Sequence, residues 1–420
     1  METHLADFIR HTPAGRDAEA ILRKCVHCGF CTATCPTYQL FGDELDGPRG
    51  RIYLIKQMLE GAEATERTRV HLDRCLTCRA CETTCPSGVH YSRLLDIGRE
   101  VLEARLPRRG VDGALRVTLK NLLPRPALFG PAMKLGQAFR PLLPMPLKAK
   151  VPPATSAGAW PRAGHARRML ALAGCAQPSM LPGINAATAR VLDRLGISLV
   201  EARNGKNAAG CCGAVRFHLG NAEGARDDAR RNIDAWWPEI EAGCEAVVMT
   251  ASGCGVHVKD YGHLLREDAR YAARAERVAA LTRDVSEVLA AEREPLTALL
   301  GVLPRLTVAR RVAFHSPCTL QHGQKIRGAV EALLQAAGFE TTPVPDGHLC
   351  CGSAGTYSIL QPAIAGRLRE NKQAALAAGS PDLIASANIG CILHLREGSA
   401  TRVRHWIELL DERLAERAGR

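Results

Sequence analysis

"CVHCGFCTATCP" occupies residues 25–36, and "CLTCRACETTCP" occupies residues 75–86. Both stretches follow the rule C-x2-C-x2-C-x3-C-P without deviation. A cubane [4Fe–4S] cluster needs one thiolate on each of four irons, and three cysteines at this spacing can reach three of them from one loop. In two-cluster proteins with this run, the fourth cysteine binds the other cluster. The sequence therefore predicts two [4Fe–4S] clusters with exchanged ligands, cluster 1 on Cys25, Cys28, Cys31 and Cys85 and cluster 2 on Cys75, Cys78, Cys81 and Cys35.

Zinc is the alternative metal for these cysteines. A zinc site needs four ligands, and two C-x2-C pairs would supply them. Zinc does not explain the third cysteine at the same step or the Cys-Pro end, and both features occur twice. The chain has 17 cysteines, and its N-terminus has early acidic residues and no apolar signal segment. Metal ligands or redox groups are therefore expected rather than a disulfide framework.

Length and charge restrict the remaining function classes. The chain has 420 residues, 46% of them apolar, and a formal net charge of +12. We expect two or three domains, and we expect no transmembrane helix because no apolar run is long enough. Nucleic-acid binding is not expected, since no basic stripe with interleaved aromatic residues is present. The positive charge fits an acidic partner protein or an anionic membrane surface, so we expect a cytoplasmic protein, with a peripheral position at the inner face of the cytoplasmic membrane left open.

Apolar periodicity places the two cysteine loops between helices. A helix is predicted to begin at Pro48, and another covers "YSRLLDIGREVLEARLP" before Pro107. We predict a helical ferredoxin-like domain with two [4Fe–4S] sites at 1–106 and a Pro- and Leu-rich helical linker at 107–165. The linker is interpreted as a helical arm packed on its own protein, and the alternative is a surface for a partner or a membrane.

An internal repeat occupies residues 166–420. Each copy begins with an apolar run that ends in a cysteine, Cys175 or Cys318, and continues through a helical stretch to the triplet "CCG". A long helical stretch follows, and an apolar strand ends at Cys254 or Cys391. Strands that alternate with helices predict a small α/β sheet in each copy, with the CCG cysteines on loops at one sheet edge. The predicted fold class is α+β multidomain: an all-helical ferredoxin-like domain, then two tandem α/β cysteine-rich CCG domains at 166–300 and 301–420.

Each copy carries a set of residues that could hold a third metal or iron–sulfur centre. Adjacent cysteines on a strand face opposite sides, but on a loop both can reach one metal. The candidate ligands are Cys175, Cys211, Cys212, Cys254 and His257 in the first CCG domain, and Cys318, Cys350, Cys351, Cys391 and His394 in the second. The small residues of "CCGSAGTYSI" favour the second copy if only one binds a cluster. Cys244 is interpreted as a buried structural thiol, and His218 and His315 as surface residues or residues beside the site.

The chain resembles the iron–sulfur subunits of glycolate oxidase (glycolate dehydrogenase). The resemblance covers nearly the whole chain and is carried by "KCVHCGFCTATCPTY", "GPRGRIYLI", "RCLTCRACETTCPSGV", "CCGSAGTYSILQP" and "ANIGCILHL". The same superfamily includes subunits of heterodisulfide reductase, of lactate utilisation and of anaerobic glycerol-3-phosphate dehydrogenase. The stretches "CCGSAGTY" and "NIGC" favour the glycolate member.

The resemblance implies an oxidoreductase subunit that does not bind the organic substrate. An FAD catalytic subunit would oxidise glycolate to glyoxylate, a second FAD-domain subunit would assist, and this chain would carry electrons toward a membrane acceptor such as a quinone. The sequence agrees, since no G-x-G-x-x-G opens a strand–helix unit and a partner must supply the flavin. We expect no catalytic residue in this chain.

Three alternatives to this function remain open. One is an iron–sulfur subunit for lactate or glycerol 3-phosphate, and another is a zinc-held scaffold that only assembles other subunits. The third is a heterodisulfide-reductase-like enzyme that uses the CCG cysteines. In heterodisulfide reductases these domains end in C-x-x-C, whereas both copies here end in C-x-x-H. The missing last cysteine weakens the disulfide alternative.

Overall fold

The computed structural model describes residues 1–162, 164–202, 208–304 and 310–416. Its N-terminal part is helical. Two short 3₁₀ turns lie in this part, and a third lies in the linker. The helices of this part are α1 (Asp7–Arg10), α2 (Pro13–Lys24), α3 (Pro36–Phe41), α4 (Pro48–Leu59), α5 (Glu66–Asp73), α6 (Ala80–Thr84) and α7 (Tyr91–Arg105). The 3₁₀ turns are Phe30–Thr32, Glu44–Asp46 and Arg140–Leu142.

Helix α4 forms as its sequence predicts. Pro48 stands at the first turn, where its missing N–H leaves no donor unsatisfied. The apolar residues at helical spacing are all buried, namely Ile52, Ile55, Met58 and Leu59. They pack against α7, which approaches closely because Gly98 has no side chain: a Cβ there would lie 2.7 Å from Cγ1 of Ile55. The two predicted helices therefore form the core between the cysteine loops.

Helices of the linker follow this core and pack on the first CCG domain. They are α8 (Gly110–Leu122), α9 (Pro126–Ala138) and α10 (Met145–Lys150). Phe129 and Met133 are buried, and Nε2 of Gln137 donates to the carbonyl oxygen of Ser179 at 3.0 Å. None of the helices that the structure describes is long and apolar enough to cross a membrane.

The rest of the described chain contains two parallel four-stranded sheets and the helices that connect their strands. The first has the order β2-β1-β3-β4 and the second has the order β6-β5-β7-β8. The strands are β1 (Arg167–Ala171), β2 (Ile197–Glu201), β3 (Val247–Met249), β4 (Thr282–Asp284), β5 (Arg311–His315), β6 (Glu340–Thr342), β7 (Leu383–Ser386) and β8 (Arg402–His405). The two sheets repeat one topology, so the predicted fold class is confirmed.

Helices connect the strands in both sheets, and a π-helix covers Thr319–Gly323. Those of the first sheet are α11 (Gln177–Met180), α12 (Gly183–Arg194), α13 (Ala214–His218), α14 (Ala222–Glu241), α15 (Ser252–Val258), α16 (Tyr261–Leu264), α17 (Ala272–Leu281), α18 (Val285–Ala291) and α19 (Arg293–Gly301). Those of the second are α20 (Ala329–Ala336), α21 (Tyr357–Leu360), α22 (Pro362–Ala377), α23 (Ile389–Arg396) and α24 (Trp406–Ala415).

The two sheets share one apolar core. Buried residues from both repeats, among them Leu192, Val248, Ile384 and Trp406, belong to the same cluster. Polar contacts also join the repeats: His405 Nε2 lies 2.9 Å from the carbonyl oxygen of Thr250. The repeats are therefore packed side by side as one unit.

Candidate functional site

The two cysteine loops have the same backbone conformation. In the first loop His27 and Gly29 have φ values of 56° and 85°, and in the second loop Thr77 and Arg79 have φ values of 54° and 61°. These residues stand at matching positions, two and four residues after the first cysteine of each motif. The left-handed turns curl each loop tightly, so that its first three cysteines can face one side. The conformation is needed in both loops, although only the first uses glycine for it.

Two adjoining recesses collect the eight thiols. The first is lined by Cys25, Cys28, Cys31, Cys81 and Cys85. The second is lined by Cys35, Cys75, Cys78 and Cys81. Each recess thus contains the first three cysteines of one motif and the fourth cysteine of the other, and Cys81 lines both. This grouping agrees with the exchanged ligand sets, whose metal binding stays a prediction.

Burial disfavours ionised thiolates in these recesses unless a cation is present. It raises the pKa of Cys31 to about 11, and the neighbouring Cys25 contributes to the rise. It also raises the pKa of Cys78 and of Cys81 well above the usual range. Metal binding must therefore displace protons from these thiols, and positive charge near the recess would favour the bound form.

Arg51 supplies a fixed positive charge behind the second recess. Its side chain is only 1% exposed, and it donates to the carbonyl oxygen of His71 at 2.7 Å and to Oγ1 of Thr37 at 3.1 Å. Oγ1 of Thr37 in turn lies 3.3 Å from Sγ of Cys35. Burial alone would lower the pKa of Arg51, but the neighbouring Cys75, Tyr91 and Cys35 raise it above its usual value.

Arg51 was not identified from the sequence as a residue beside the cysteine ligands. The available signal was its position in α4, where Arg51, Ile55 and Met58 recur at the spacing of one buried helix face. An arginine on such a face needs buried partners. Asp46 is one, at 3.4 Å from Nη2 of Arg51.

Tyr91 is a second residue beside the thiols that sequence reasoning did not single out. Its hydroxyl donates to Sγ of Cys75 at 3.6 Å from the first turn of α7. A hydrogen bond to a sulfur ligand favours the electron-rich form of an iron–sulfur centre.

The two recesses differ in what covers them. Cys28 is exposed at the mouth of the first recess, and the apolar side chains of Val26 and Phe30 are exposed beside it. At the second recess, Leu76 and Cys78 pack in one apolar cluster with Cys318, Cys350 and Tyr357 of the second CCG domain. The first recess therefore opens to solvent, whereas the second abuts the second CCG domain.

Two hydrogen bonds hold the contact between the second recess and the second CCG domain. The hydroxyl of Tyr357 donates to the carbonyl oxygen of Arg74 at 2.9 Å. Oγ1 of Thr83 lies 3.0 Å from Nδ1 of His322.

In the first CCG domain the four candidate cysteines form a row of pairwise contacts, but no three of the five candidate ligands have their ligand atoms all within 4.8 Å of one another. The Cys211 side chain contacts Cys175 and Cys212, and Cys212 contacts Cys254. Nε2 of His257 lies near Gly213, where a Cβ would be 3.2 Å from it, and it is buried without a hydrogen-bond partner among the described residues. Burial lowers the pKa of His257 to about 4, so the imidazole is neutral near pH 7.

The second CCG domain has the same chain of sulfurs. Sγ of Cys318 lies 3.9 Å from Sγ of Cys350, Cys350 contacts Cys351, and Cys351 contacts Cys391. Both CCG loops need their glycine, since Gly213 and Gly352 have φ values of 97° and 90°. Both cysteine pairs lie on loops, as predicted.

The histidines of the two domains differ in their hydrogen bonds and in their distance from the sulfurs. Nε2 of His394 lies 3.1 Å from the carbonyl oxygen of Ala365, so this nitrogen is already engaged by the backbone. In its place, a donor nitrogen of His315 lies within 4.8 Å of Sγ of Cys351 and Sγ of Cys391. His218 lies in neither set of sulfurs; its Nδ1 is 3.7 Å from Asp96.

Cys244 lies apart from both sulfur chains. It is buried and donates to the carbonyl oxygens of Arg168 and Ala246, each at 3.4 Å. This environment agrees with its interpretation as a structural thiol.

Comparison with known families divides the chain in the same way. Residues 21–89 match the model of a 4Fe-4S dicluster domain. Residues 169–259 and 312–396 each match the model of a cysteine-rich domain, CCG.

Over 415 residues the chain is 54% identical to the glycolate oxidase iron-sulfur subunit of Escherichia coli (strain K12), with 99% of each chain covered. The chain belongs to the family of glycolate oxidase iron–sulfur subunits. A probable glycolate oxidase iron-sulfur subunit of Bacillus subtilis (strain 168) is 30% identical over 434 residues, which cover 94% of each chain. The resemblance seen in the sequence is therefore confirmed.

Relatives with another name match less of the chain. Lactate utilization protein A of Shouchella clausii (strain KSM-K16) is 26% identical over 245 residues, which cover 57% of this chain and 96% of that protein. The two glycolate oxidase iron–sulfur subunits thus match nearly the whole length of this chain, and the lactate protein matches only part of it.

Proposed function

We propose that this chain is the electron-transfer subunit of a glycolate oxidase complex. It would accept electrons from an FAD subunit that oxidises glycolate to glyoxylate, with a second FAD-domain subunit in the same complex. It would pass them toward a membrane acceptor such as a quinone. Membership of the family supports the complex, and the observation that carries the role is the pair of adjoining recesses lined by eight thiols.

The proposed ligands follow the lining of the two recesses. Cys25, Cys28, Cys31 and Cys85 would hold cluster 1, and Cys75, Cys78, Cys81 and Cys35 would hold cluster 2. Bound [4Fe–4S] clusters supply one-electron chemistry at potentials set by nearby charge, hydrogen bonds and exposure. In this chain Arg51 supplies the charge and Tyr91 supplies a hydrogen bond, both beside Cys75.

A third centre is proposed for the second CCG domain, on Cys318, Cys350, Cys351 and Cys391. The supporting observation is position, because Cys318 packs against the same apolar cluster as Cys78 of the second recess. The first CCG domain offers Cys175, Cys211, Cys212, Cys254 and His257 as a further candidate set.

The proposal is tested on the complex purified with its flavin subunits. We expect about eight irons and eight acid-labile sulfides for each copy of this chain from the two [4Fe–4S] clusters, and more metal if a CCG site is filled. Replacement of Cys78 by serine should stop electron transfer from glycolate to an artificial quinone while glycolate still reduces the flavin. Cys244→Ser is the matched control, since this buried thiol lies outside both recesses.

Two results would contradict the proposal. One is oxidation of glycolate by this chain alone, without any flavin subunit. The other is zinc without acid-labile sulfide in the purified complex, which would indicate a scaffold.

For localisation, we propose a cytoplasmic chain that lies against an anionic membrane surface through the exposed side of α8–α10. Residues 107–150 contain nine Lys and Arg residues and one acidic residue, Asp112. Exposed large apolar residues are concentrated on the same segment: Val111, Val117, Leu128, Leu135, Phe139, Leu142, Met145 and Leu147. Apolar side chains flanked by basic ones favour adsorption to anionic lipid headgroups.

Vesicle sedimentation tests this placement. The full chain should bind vesicles of phosphatidylcholine with phosphatidylglycerol, and it should bind vesicles of phosphatidylcholine alone much less. Leu135→Glu together with Leu142→Glu should weaken binding, whereas Val302→Glu should not; Leu135 and Val302 are equally exposed at 62%. If the double variant binds vesicles normally but loses its flavin subunits, the surface is a protein interface and the membrane proposal is wrong.

A further inference from the structure

The two CCG domains take their candidate nitrogen ligand from different places in the repeat. His257 and His394 stand at matching positions, three residues after Cys254 and Cys391. Nε2 of His257 is buried without a hydrogen-bond partner among the described residues. Nε2 of His394 instead meets the carbonyl oxygen of Ala365 at 3.1 Å, and its buried Nδ1 has no partner among the described residues. Neither histidine forms a group with two candidate sulfurs of its domain in which all ligand atoms lie within 4.8 Å of one another.

In the second domain a different histidine, His315, lies near the candidate sulfur ligands. It is the last residue of β5, it is buried, and it precedes Cys318 by three residues. Its donor nitrogen and the sulfurs of Cys351 and Cys391 all lie within 4.8 Å of one another. The matching position in the first domain is Leu172, which cannot bind a metal. Among the described residues of the two CCG domains, His315 is therefore the only histidine that forms such a group of three with cysteines.

The orientation of the His315 ring is fixed from the neighbouring strand. His315 and Ser386 are partners in the parallel register of β5 and β7, and Nδ1 of His315 lies 2.9 Å from Oγ of Ser386. Nδ1 is thereby occupied, which leaves Nε2 as the nitrogen available to a metal. A histidine ligand held by a hydrogen bond through its other nitrogen is the usual arrangement at metal sites.

We propose that His315 is the nitrogen ligand of a mixed thiolate–imidazole metal centre in the second CCG domain, with Cys351 and Cys391 as its nearest sulfur ligands. Thiolates with one neutral imidazole suit iron, as in an iron–sulfur centre, or zinc. This inference deepens the proposed third centre and rests on it. It replaces His394 of the expected set, and Cys350 and Cys318 continue the row of sulfurs toward Cys78.

The test compares His315→Gln with His394→Gln in the full chain, purified without oxygen. Iron, zinc and acid-labile sulfide are measured before and after reconstitution with ferrous iron and sulfide or with Zn²⁺. We expect wild type and His394→Gln to hold metal beyond the two ferredoxin-type clusters. His315→Gln should lack that additional metal and its spectroscopic signal, while the signals of the two clusters remain. Iron with sulfide identifies an iron–sulfur centre, and zinc without additional sulfide identifies a zinc site.

Ser386→Ala keeps the inference testable if His315→Gln does not fold. Loss of the hydrogen bond that orients the ring should weaken retention of the additional metal against a chelator by about 10- to 100-fold. Unchanged retention in both variants, or loss of the metal in His394→Gln alone, would overturn the role of His315.

Failure of this inference is distinguishable from failure of the proposed function. A wild-type chain that has two complete clusters and never takes up additional metal would overturn the CCG centre. Electron transfer through the two ferredoxin-type clusters would still stand in that case.

Discussion

Cys78 and Cys318 pack against the same apolar cluster, although 239 residues separate them in the sequence. This cluster joins the second cysteine loop to the second CCG domain. Burial raises the pKa of the Cys78 thiol well above its usual range, and the Cys318 thiol raises it further. The second recess and the sulfurs of the second CCG domain are therefore close enough for their charges to interact.

This contact depends on Tyr357, and Tyr357→Phe tests how strongly it is held. The substitution removes the hydroxyl that donates to the carbonyl oxygen of Arg74 and leaves the ring in the cluster. We expect a loss of about 1 kcal/mol in the free energy of unfolding, measured with urea. Tyr53→Phe is the control, since the side chain of Tyr53 is exposed. Equal stability of wild type and Tyr357→Phe would show that the hydrogen bond adds nothing to the contact.

Arg51→Met should affect both stability and redox behaviour. It leaves Asp46 buried with one cation fewer, and breaking such a pair is expected to destabilise the domain by about 3 kcal/mol. It also removes positive charge beside Cys35 and Cys75, so the reduction potential of cluster 2 should become more negative. Redox titration monitored by electron paramagnetic resonance measures the shift.

Arg49→Met is the matched control for Arg51. Arg49 pairs with Glu44 at a more exposed position, where an ion pair contributes at most about 1 kcal/mol. A potential of cluster 2 that shifts equally in both variants would contradict the role of Arg51.

A helix or strand can be predicted from the sequence where the pattern of apolar residues that determines it lies within one segment. Helix α4 buries the apolar residues at the predicted spacing, because a single helix face needs no information from elsewhere. Strands β4 and β8 were missed, since each has only three or four residues and exposes a charged side chain, Arg283 or Arg402. Their pairing with β3 and β7 makes them strands, and pairing is a tertiary property.

The same limit applies to the candidate sites. Cysteine spacing predicts which thiols share a recess, because the motif fixes the local loop geometry. It cannot predict that Cys78 and Cys318 pack against one apolar cluster, because that depends on domain packing. The repeat directed attention to His394, since matching positions suggest matching roles. His315 has no match in the first copy, and only the pairing of β5 with β7 brings it to the sulfurs.

The stability of the chain should fall as the pH decreases from 7 to 5, partly because of His405. Burial lowers the pKa of His405 to about 4, whereas the unfolded chain has an ordinary histidine pKa of about 6.5. The unfolded state therefore binds more protons between these two values, and stability is lost as the pH falls through this window. For one such histidine the expected loss between pH 7 and pH 5 is about 2 kcal/mol.

Urea unfolding of wild type and His405→Gln at both pH values measures this contribution. The variant is expected to be less stable at pH 7, because it loses the bond of Nε2 to the carbonyl oxygen of Thr250. Its loss of stability between pH 7 and pH 5 should be smaller by about 2 kcal/mol. An equal loss in both proteins would show that His405 does not titrate on unfolding.

The exchange of the fourth cysteines makes the sharpest prediction about the two clusters. Cys35 follows the first motif loop, yet it lines the second recess with Cys75 and Cys78. Cys35→Ser should therefore alter the spectrum and potential of cluster 2 and leave cluster 1 nearly unchanged. Cys85 lines the first recess, so Cys85→Ser should do the reverse.

Each of these two variants serves as the control for the other, because both remove the last cysteine of a motif. Arg51→Met identifies which signal belongs to cluster 2, since Arg51 lies beside Cys35 and Cys75. If Cys35→Ser altered the other signal and left the Arg51-sensitive one unchanged, each motif would hold its own cluster. The four cysteines of each loop would then have to converge on one centre, and the lining of the two recesses would not describe the ligands.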